Sequence, residues 1–235
     1  MSLFLSANRT DVDAAIKRGF PAGHVLPSTA VYEEDDQLRV AFDFDGVLAN
    51  DAAERDYKTS GIKKYLEHEA QLAEQALTEG PLNELLRDLN MIQEIERRHK
   101  VLDSTYKPKL RISIVTARSA PAHERAVRSL QHWGVAVNDA FFLGGIKKSR
   151  ILEVMRPHIF FDDQTTHLAP AAAHAAGVHI PYGVANELTV EPAPKDEHNQ
   201  RLGATDFAFS REEVPTKLEA ELAATTDDPL GDQQP

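Results

Sequence analysis

Four short apolar runs, each followed by glycine, hydroxyl or charged residues, constrain this chain more than any other feature. They are Leu38–Phe44, Leu110–Thr116, Ala140–Leu143 and Ile159–Phe161, with a weaker fifth at Val178–Pro181. Runs this short and continuous suit strands covered on both faces, as in a parallel sheet. Most are separated by stretches with helical spacing and alanine-rich faces. Alternation of this kind predicts an α/β fold, a doubly wound parallel sheet with helices on both sides.

The connection between the first two runs is too long for a simple crossover. Within residues 51–108, the segments Ala52–Leu77 and Pro81–Val101 carry leucines and isoleucines at helical intervals, broken at Gly80-Pro81. Two helices merely covering the sheet would account for the pattern. The length favours an inserted helical cap. Residues 38–50 and 109–190 then form the α/β core.

Residues 1–37 have a character of their own. Leu3-Phe4-Leu5-Ser6-Ala7-Asn8 opens a strand–helix–strand unit that ends at His24-Val25-Leu26-Pro27. A similar unit runs from Ile159-Phe160-Phe161-Asp162-Asp163-Gln164 to Val178-His179-Ile180-Pro181. Ser6 and Ala7 stand where Asp162 and Asp163 stand in the second copy. The first copy reads as a degenerate repeat kept for packing. Residues 191–235 are rich in Pro, Glu, Asp and Thr. Glu191–Asn199 is expected to be a solvated loop and Thr225–Pro235 a disordered acidic tail.

Composition narrows the function classes. With 37 acidic against 26 basic residues, the formal charge is −11. Such a surface repels nucleic-acid backbones, so no nucleic-acid polymer is expected as a partner. A phosphate ligand would need its own local positive charge. No cysteine is present, which excludes disulfides and thiolate metal sites. No run approaches the length of a membrane span, and the first residues lack the features of a secretory signal. A cytoplasmic enzyme is the expectation.

The sharpest motif is Arg39-Val40-Ala41-Phe42-Asp43-Phe44-Asp45-Gly46-Val47-Leu48. In an open α/β sheet, ligands bind beyond the carboxyl ends of the strands, where Asp43 and Asp45 fall. Extended backbone would set the two acids on one side, and Gly46 permits a sharp turn beside them. Carboxylates that close repel unless a cation relieves them, and Mg²⁺, which also binds phosphate, suits the purpose. An acid-capped turn is the plainer reading of this motif taken alone. Three further strand ends weigh against it. Thr116-Ala117-Arg118 offers a hydroxyl and free backbone N–H groups to a phosphate. Gly144-Gly145-Ile146-Lys147-Lys148 supplies cationic charge, and Asp162-Asp163 a second acidic pair for a Mg²⁺ shell.

The order Asp43-x-Asp45-Gly46, Thr116, Lys148, Asp162-Asp163 resembles the four motifs of the haloacid dehalogenase superfamily. More narrowly, four stretches resemble the cytosolic 5′-nucleotidase type I family. They are Glu67-His68-Glu69, Val115-Thr116-Ala117-Arg118-Ser119, Arg156-Pro157-His158-Ile159-Phe160-Phe161-Asp162-Asp163-Gln164 and Pro181-Tyr182-Gly183-Val184. Two departures stand out. Eukaryotic members read Asp-Gly-Asp-Ala where this chain reads Asp43-Phe44-Asp45-Gly46. They also carry a longer N-terminal half, so the chain is expected to be a shortened homologue or a fragment.

The resemblance implies Mg²⁺-dependent hydrolysis of nucleoside 5′-monophosphates through an aspartyl-phosphate. Asp43 would be the nucleophile and Asp45 the acid and base. Thr116, Ala117 and Lys148, rather than Lys147, would hold the phosphate. Asp43, Asp45 (through its carbonyl), Asp162 and Asp163 would hold the metal. Phe44, Tyr57, Tyr65 and His68 are candidates for contacting the base, against the plainer reading that they pack. Arg118 would approach the phosphate or pair with a surface acid. Other readings are a phosphatase for a different small ester, a non-catalytic regulatory homologue and a phospho-acceptor receiver. The last is disfavoured by the insertion. Base preference and homo-oligomer formation stay open.

Overall fold

The computed structural model describes residues 1–32 and 35–186. The expected loop at Glu191–Asn199 and tail at Thr225–Pro235 lie outside the described residues. The strands are β1 (Phe4–Ser6), β2 (Ala22–Val25), β3 (Leu38–Phe42), β4 (Leu110–Thr116), β5 (Asp139–Phe142), β6 (Ile159–Asp162) and β7 (Ala176–His179). They form a seven-stranded sheet in the order β1-β2-β7-β6-β3-β4-β5. Every pairing is parallel except β2 with β7. The helices are α1 (Arg9–Lys17), α2 (Ala52–Gln71), α3 (Asn83–Leu102), α4 (His123–Trp133), α5 (Lys148–Met155) and α6 (Thr165–Ala171).

Strand periodicity assigns the two faces. Along β3, Val40 and Phe42 enter one core with Ile112, Ile114 and Phe161 of neighbouring strands. Leu82, Leu86, Leu130 and Trp133 bring α3 and α4 onto that face. Ala41 points the other way and joins Val115, Phe160, Leu152 and Leu168, which belong to β4, β6, α5 and α6. Helices thus cover both sides, the doubly wound arrangement expected from the alternation. No described helix is long and apolar enough to cross a membrane.

The long connection divides into two unlike halves. α3 is built into the sheet core through Leu82 and Leu86. Farther along, its buried Glu96 accepts the Lys109 and Leu110 N–H groups as β4 begins. That half behaves as a covering helix. α2 buries only Ala53, Tyr65 and Glu69 and carries a break at Gly61 (φ 77°, ψ 168°). Its buried residues pack with Ala122, away from the two large cores.

β1-α1-β2 and β6-α6-β7 meet through the antiparallel β2–β7 ladder. His24 faces His179 and Val25 faces Val178. In the aligned copies, His24 corresponds to Val178 and Val25 to His179. The pairing is therefore crossed, as a two-fold relation between the units requires. A local contact recurs as well. Ser6 Oγ accepts the Asn8 N–H at 3.0 Å, and Asp162 Oδ1 accepts the Gln164 N–H at 2.8 Å.

After α2 the chain returns to the loop that follows β3. Gly80 N–H donates to Leu48 O at 2.8 Å and Leu82 N–H to Val47 O at 2.9 Å. A Cβ on Gly80 would lie 2.4 Å from Ala49 O and 2.8 Å from Val47 O. Both are backbone atoms in a hydrogen-bonded loop and cannot step aside cheaply. Gly80→Ala is therefore expected to destabilise the fold by about 1–3 kcal/mol, as overpacking does. A urea denaturation midpoint indistinguishable from the parent would contradict this.

Candidate active site

β3 ends at Phe42, before the two acids. Asp43 N–H still bonds Phe161 O at 2.8 Å, so the acid stays anchored to β6. Its Oδ1 accepts the Phe44 N–H at 2.7 Å. Beyond it, Leu48 and Ala49 both donate to Phe44 O, and Gly46 takes φ 74°. The loop is a compact turn, and Asp43 and Asp45 take different partners instead of sharing one side of a strand. A Cβ on Gly46 would lie 2.6 Å from Asp163 Oδ2. Glycine there serves both the left-handed turn and the close approach of Asp163.

Register sets the next acid. Phe42 pairs with Phe161, so Asp162 falls level with Asp43 one strand over. Lys148, the first residue of α5, inserts its ammonium between them, with Nζ 2.7 Å from both Asp43 Oδ2 and Asp162 Oδ2. All three side chains are buried. Lys147 is exposed on the helix cap. Thr116 closes β4 next to β3, buried, with its Oγ1 accepting the Arg118 N–H at 3.3 Å. Ala117 is exposed.

Negative charge exceeds positive charge at this point. Burial, with the nearby Asp162 and Asp45 carboxylates, pushes Asp43 up to about 7 despite Lys148. Burial, then repulsion from Asp43, Asp162 and Glu54, pushes Asp163 up to about 9. Asp162 goes the other way. Burial opposes its ionisation, but Lys148 and His167 outweigh that and hold it below the ordinary carboxylate range. Burial likewise opposes the charge on Lys148, yet Asp43 and Asp162 together raise its pKa.

Both Asp163 oxygens are buried and have no hydrogen-bond partner among the described residues. Orphaned carboxylate oxygens inside a protein are costly unless something binds them. A ligand atom each from Asp43, Asp162 and His167 can come within 4.8 Å of one another. Such a group can hold a metal ion, and an oxygen-rich donor set suits a hard divalent cation. His167, with Nδ1 3.1 Å from Asp162 Oδ1, was not foreseen from the sequence. Its only signal was a position at the start of the helix that follows the acidic pair.

The four base-contact candidates are scattered. Phe44 is wholly buried, stacked on Trp133 with centroids 5.8 Å apart. Tyr65 is buried and meets Tyr57 edge-on at 5.8 Å. Tyr57 is 47% exposed, and His68 Nδ1 lies 2.9 Å from Asp56 Oδ2. Arg118 pairs with Asp45, not with a surface acid, and also with buried Glu69. Glu69 lies in the Glu67-His68-Glu69 stretch that carries the resemblance, but the sequence alone assigns it no site role, because α2 has no clean apolar stripe to mark its inner face.

A profile of the 5′-nucleotidase family matches residues 1–187. Human cytosolic 5′-nucleotidase 1B is 34% identical over 172 residues, covering 72% of this chain. The same stretch covers 28% of the human protein, so the chain spans under a third of that relative's length.

The raised Asp43 and Asp163 give a pH-dependent expectation. From the ordinary carboxylate range up to about 7 for Asp43 and about 9 for Asp163, the folded state binds more protons than the unfolded state. Stability of the metal-free protein must then fall as pH rises through that window. A divalent cation held by those acids would take the place of those protons. Mg²⁺ is expected to raise the thermal midpoint more at about pH 8 than at about pH 5, because fewer protons then compete with it. Equal increments at both would exclude these acids as its ligands.

Proposed function

The chain belongs to the 5′-nucleotidase family, and from that premise we propose that its site hydrolyses nucleoside 5′-monophosphates with Mg²⁺. The observation that carries this reading is the convergence of Asp43, Lys148 and Asp162 at 2.7 Å contacts beneath an orphaned Asp163. Asp43, Asp162, Asp163 and the carbonyl of Asp45 would hold the Mg²⁺. Bound there, the cation neutralises charge on the acids and on the phosphoryl oxygens.

The first step is attack by an Asp43 carboxylate oxygen on phosphorus. The new O–P bond forms as the bond to the 5′-oxygen breaks, and the released electron pair takes a proton from Asp45. In the second step water attacks the aspartyl-phosphate, gives its proton to Asp45, and frees Asp43 and phosphate. Thr116 Oγ1 and the Ala117 N–H hold phosphoryl oxygens, while Lys148 offsets their charge. Lys148 is well suited to this, since substrate oxygens can share an ammonium already committed to the acids.

Residues 51–108 serve as the cap in this reading, and α2 is the part that bears on the site, because its Glu69 reaches Arg118. Of the base-contact candidates, Tyr57 and His68 have the exposure a stacking residue needs. A cytoplasmic setting goes with this reading, since the 34%-identical relative is named a cytosolic enzyme.

Turnover of AMP, IMP and a panel of other phosphate monoesters with Mg²⁺ tests the assignment. Asp43→Asn is expected to lower kcat by about a thousandfold or more while the protein stays folded. Thr116→Ala and Lys148→Ala should each cost about tenfold to a hundredfold. A preference for a non-nucleotide ester would overturn the substrate class. Retained activity in Asp43→Asn would overturn the nucleophile.

A further inference from the structure

Arg118 occupies a place that the reaction as written leaves without a task. Its side chain is 2% exposed and forks onto Asp45, with Nε 2.8 Å from Oδ2 and Nη2 2.7 Å from Oδ1. Nη1 donates to Glu69 Oε2 at 2.5 Å and to Ala122 O at 2.9 Å. Those bonds commit all but one of the five guanidinium N–H groups. The Phe44 ring lies 5.3 Å beneath the guanidinium carbon. Arg118 is thus largely engaged with protein, with one N–H left over for any further acceptor.

The far end of the network is equally well fixed. Glu69, on α2, has a side chain 1% exposed, and its second oxygen accepts from Arg125 Nη1 at 2.7 Å. Arg125 belongs to α4 and also donates to Gln75 O at 2.9 Å. Charges alternate along Asp45–Arg118–Glu69–Arg125, so none of the buried ions stands alone. The line runs from the loop after β3, through the end of β4, to the inserted helix.

A bidentate Arg–carboxylate pair fixes orientation as well as charge, because the planar fork matches one disposition of the two oxygens. Backbone N–H groups or a lysine could have balanced Asp45 without that constraint. We propose that Arg118 is the positioning residue for Asp45, and that Glu69 of α2 sets where Arg118 holds it. The proposal rests on the reading of Asp45 as the acid and base of the reaction. Through this network, α2 bears on the chemical step itself as well as on substrate choice.

Proton delivery gives a readout that a merely structural role would not move. A nucleoside 5′-alkoxide leaves poorly without a proton, whereas p-nitrophenolate leaves without one. Parent protein, Arg118→Lys and Glu69→Gln are compared on AMP and on p-nitrophenyl phosphate with Mg²⁺. Arg118→Lys keeps the cation and loses the fork. It is expected to lower kcat on AMP by about tenfold or more, with KM changed by less than about twofold. In the single-turnover step that forms the aspartyl-phosphate, the loss on p-nitrophenyl phosphate should be several times smaller than on AMP. Glu69→Gln should show the same bias to a lesser degree, and it carries the test alone if Arg118→Lys does not fold.

Equal slowing of phospho-enzyme formation from both esters would overturn the proposal, and so would a raised KM at unchanged kcat, which would make Arg118 a phosphate ligand. A lowered thermal midpoint with kcat per folded molecule unchanged would overturn it too. Failure of the underlying reading looks different. There the parent protein turns over neither ester, or Asp43→Asn matches the parent, and the positioning role falls with it.

Discussion

The ammonium of Lys148, wedged between Asp43 and Asp162, is the contact on which the arrangement of the site depends. Three buried side chains, two negative and one positive, would each be expensive to bury alone. Together they fix the start of α5 against the ends of β3 and β6. The fit is still incomplete, because Asp163 adds a carboxylate with no partner among the described residues. One lysine cannot balance this cluster. The raised Asp43 and Asp163 express the imbalance as a preference for protons. Any oxygen-seeking divalent cation competes with those protons for the same atoms. Packing in the core and affinity for a cation thus have one electrostatic origin.

Arginine does for Asp45 what lysine does for Asp43, by different means. Lys148 is a point charge that two acids and an incoming anion can share. Arg118 is a planar fork committed to one carboxylate and braced by another. In the proposed reaction the nucleophile would need charge compensation that can be redistributed when phosphate arrives. An acid with the role proposed for Asp45, which must meet one oxygen of the substrate, would benefit from a fixed direction. The two acids thus face cations that differ in geometry, as the different roles proposed for them would require.

Much of this was legible in the sequence, for identifiable reasons. The strands of the core are continuous apolar runs, and their ends carry the polar residues the site uses, so order along the chain became position in space. β3 stops two residues short of the expected Phe44 because the Phe44 N–H turns onto the Asp43 side chain, although the Asp43 N–H still reaches Phe161 O. The insertion was legible in length, and its halves differ in patterning, since α3 carries an apolar stripe that α2 lacks, but which surface each covers is shown only by the packing. Glu69, Glu54 and His167 left no trace in periodicity. Each acts through a partner distant in sequence or on the far side of a turn, and such pairings exist only once the chain has folded.

The two similar strand–helix–strand units share a local turn but differ in what their strand ends face. At equivalent positions Ser6 and Asp162 accept the N–H two residues on, so both turn the chain from strand into helix. A hydroxyl serves that local purpose as well as a carboxylate does. Only the second copy also faces a lysine, and only there does the oxygen need a charge. The crossed register of β2 and β7 then lets the uncharged copy extend the sheet beside β7. What distinguishes the two units is the neighbour each strand end meets, which is a property of topology more than of local sequence.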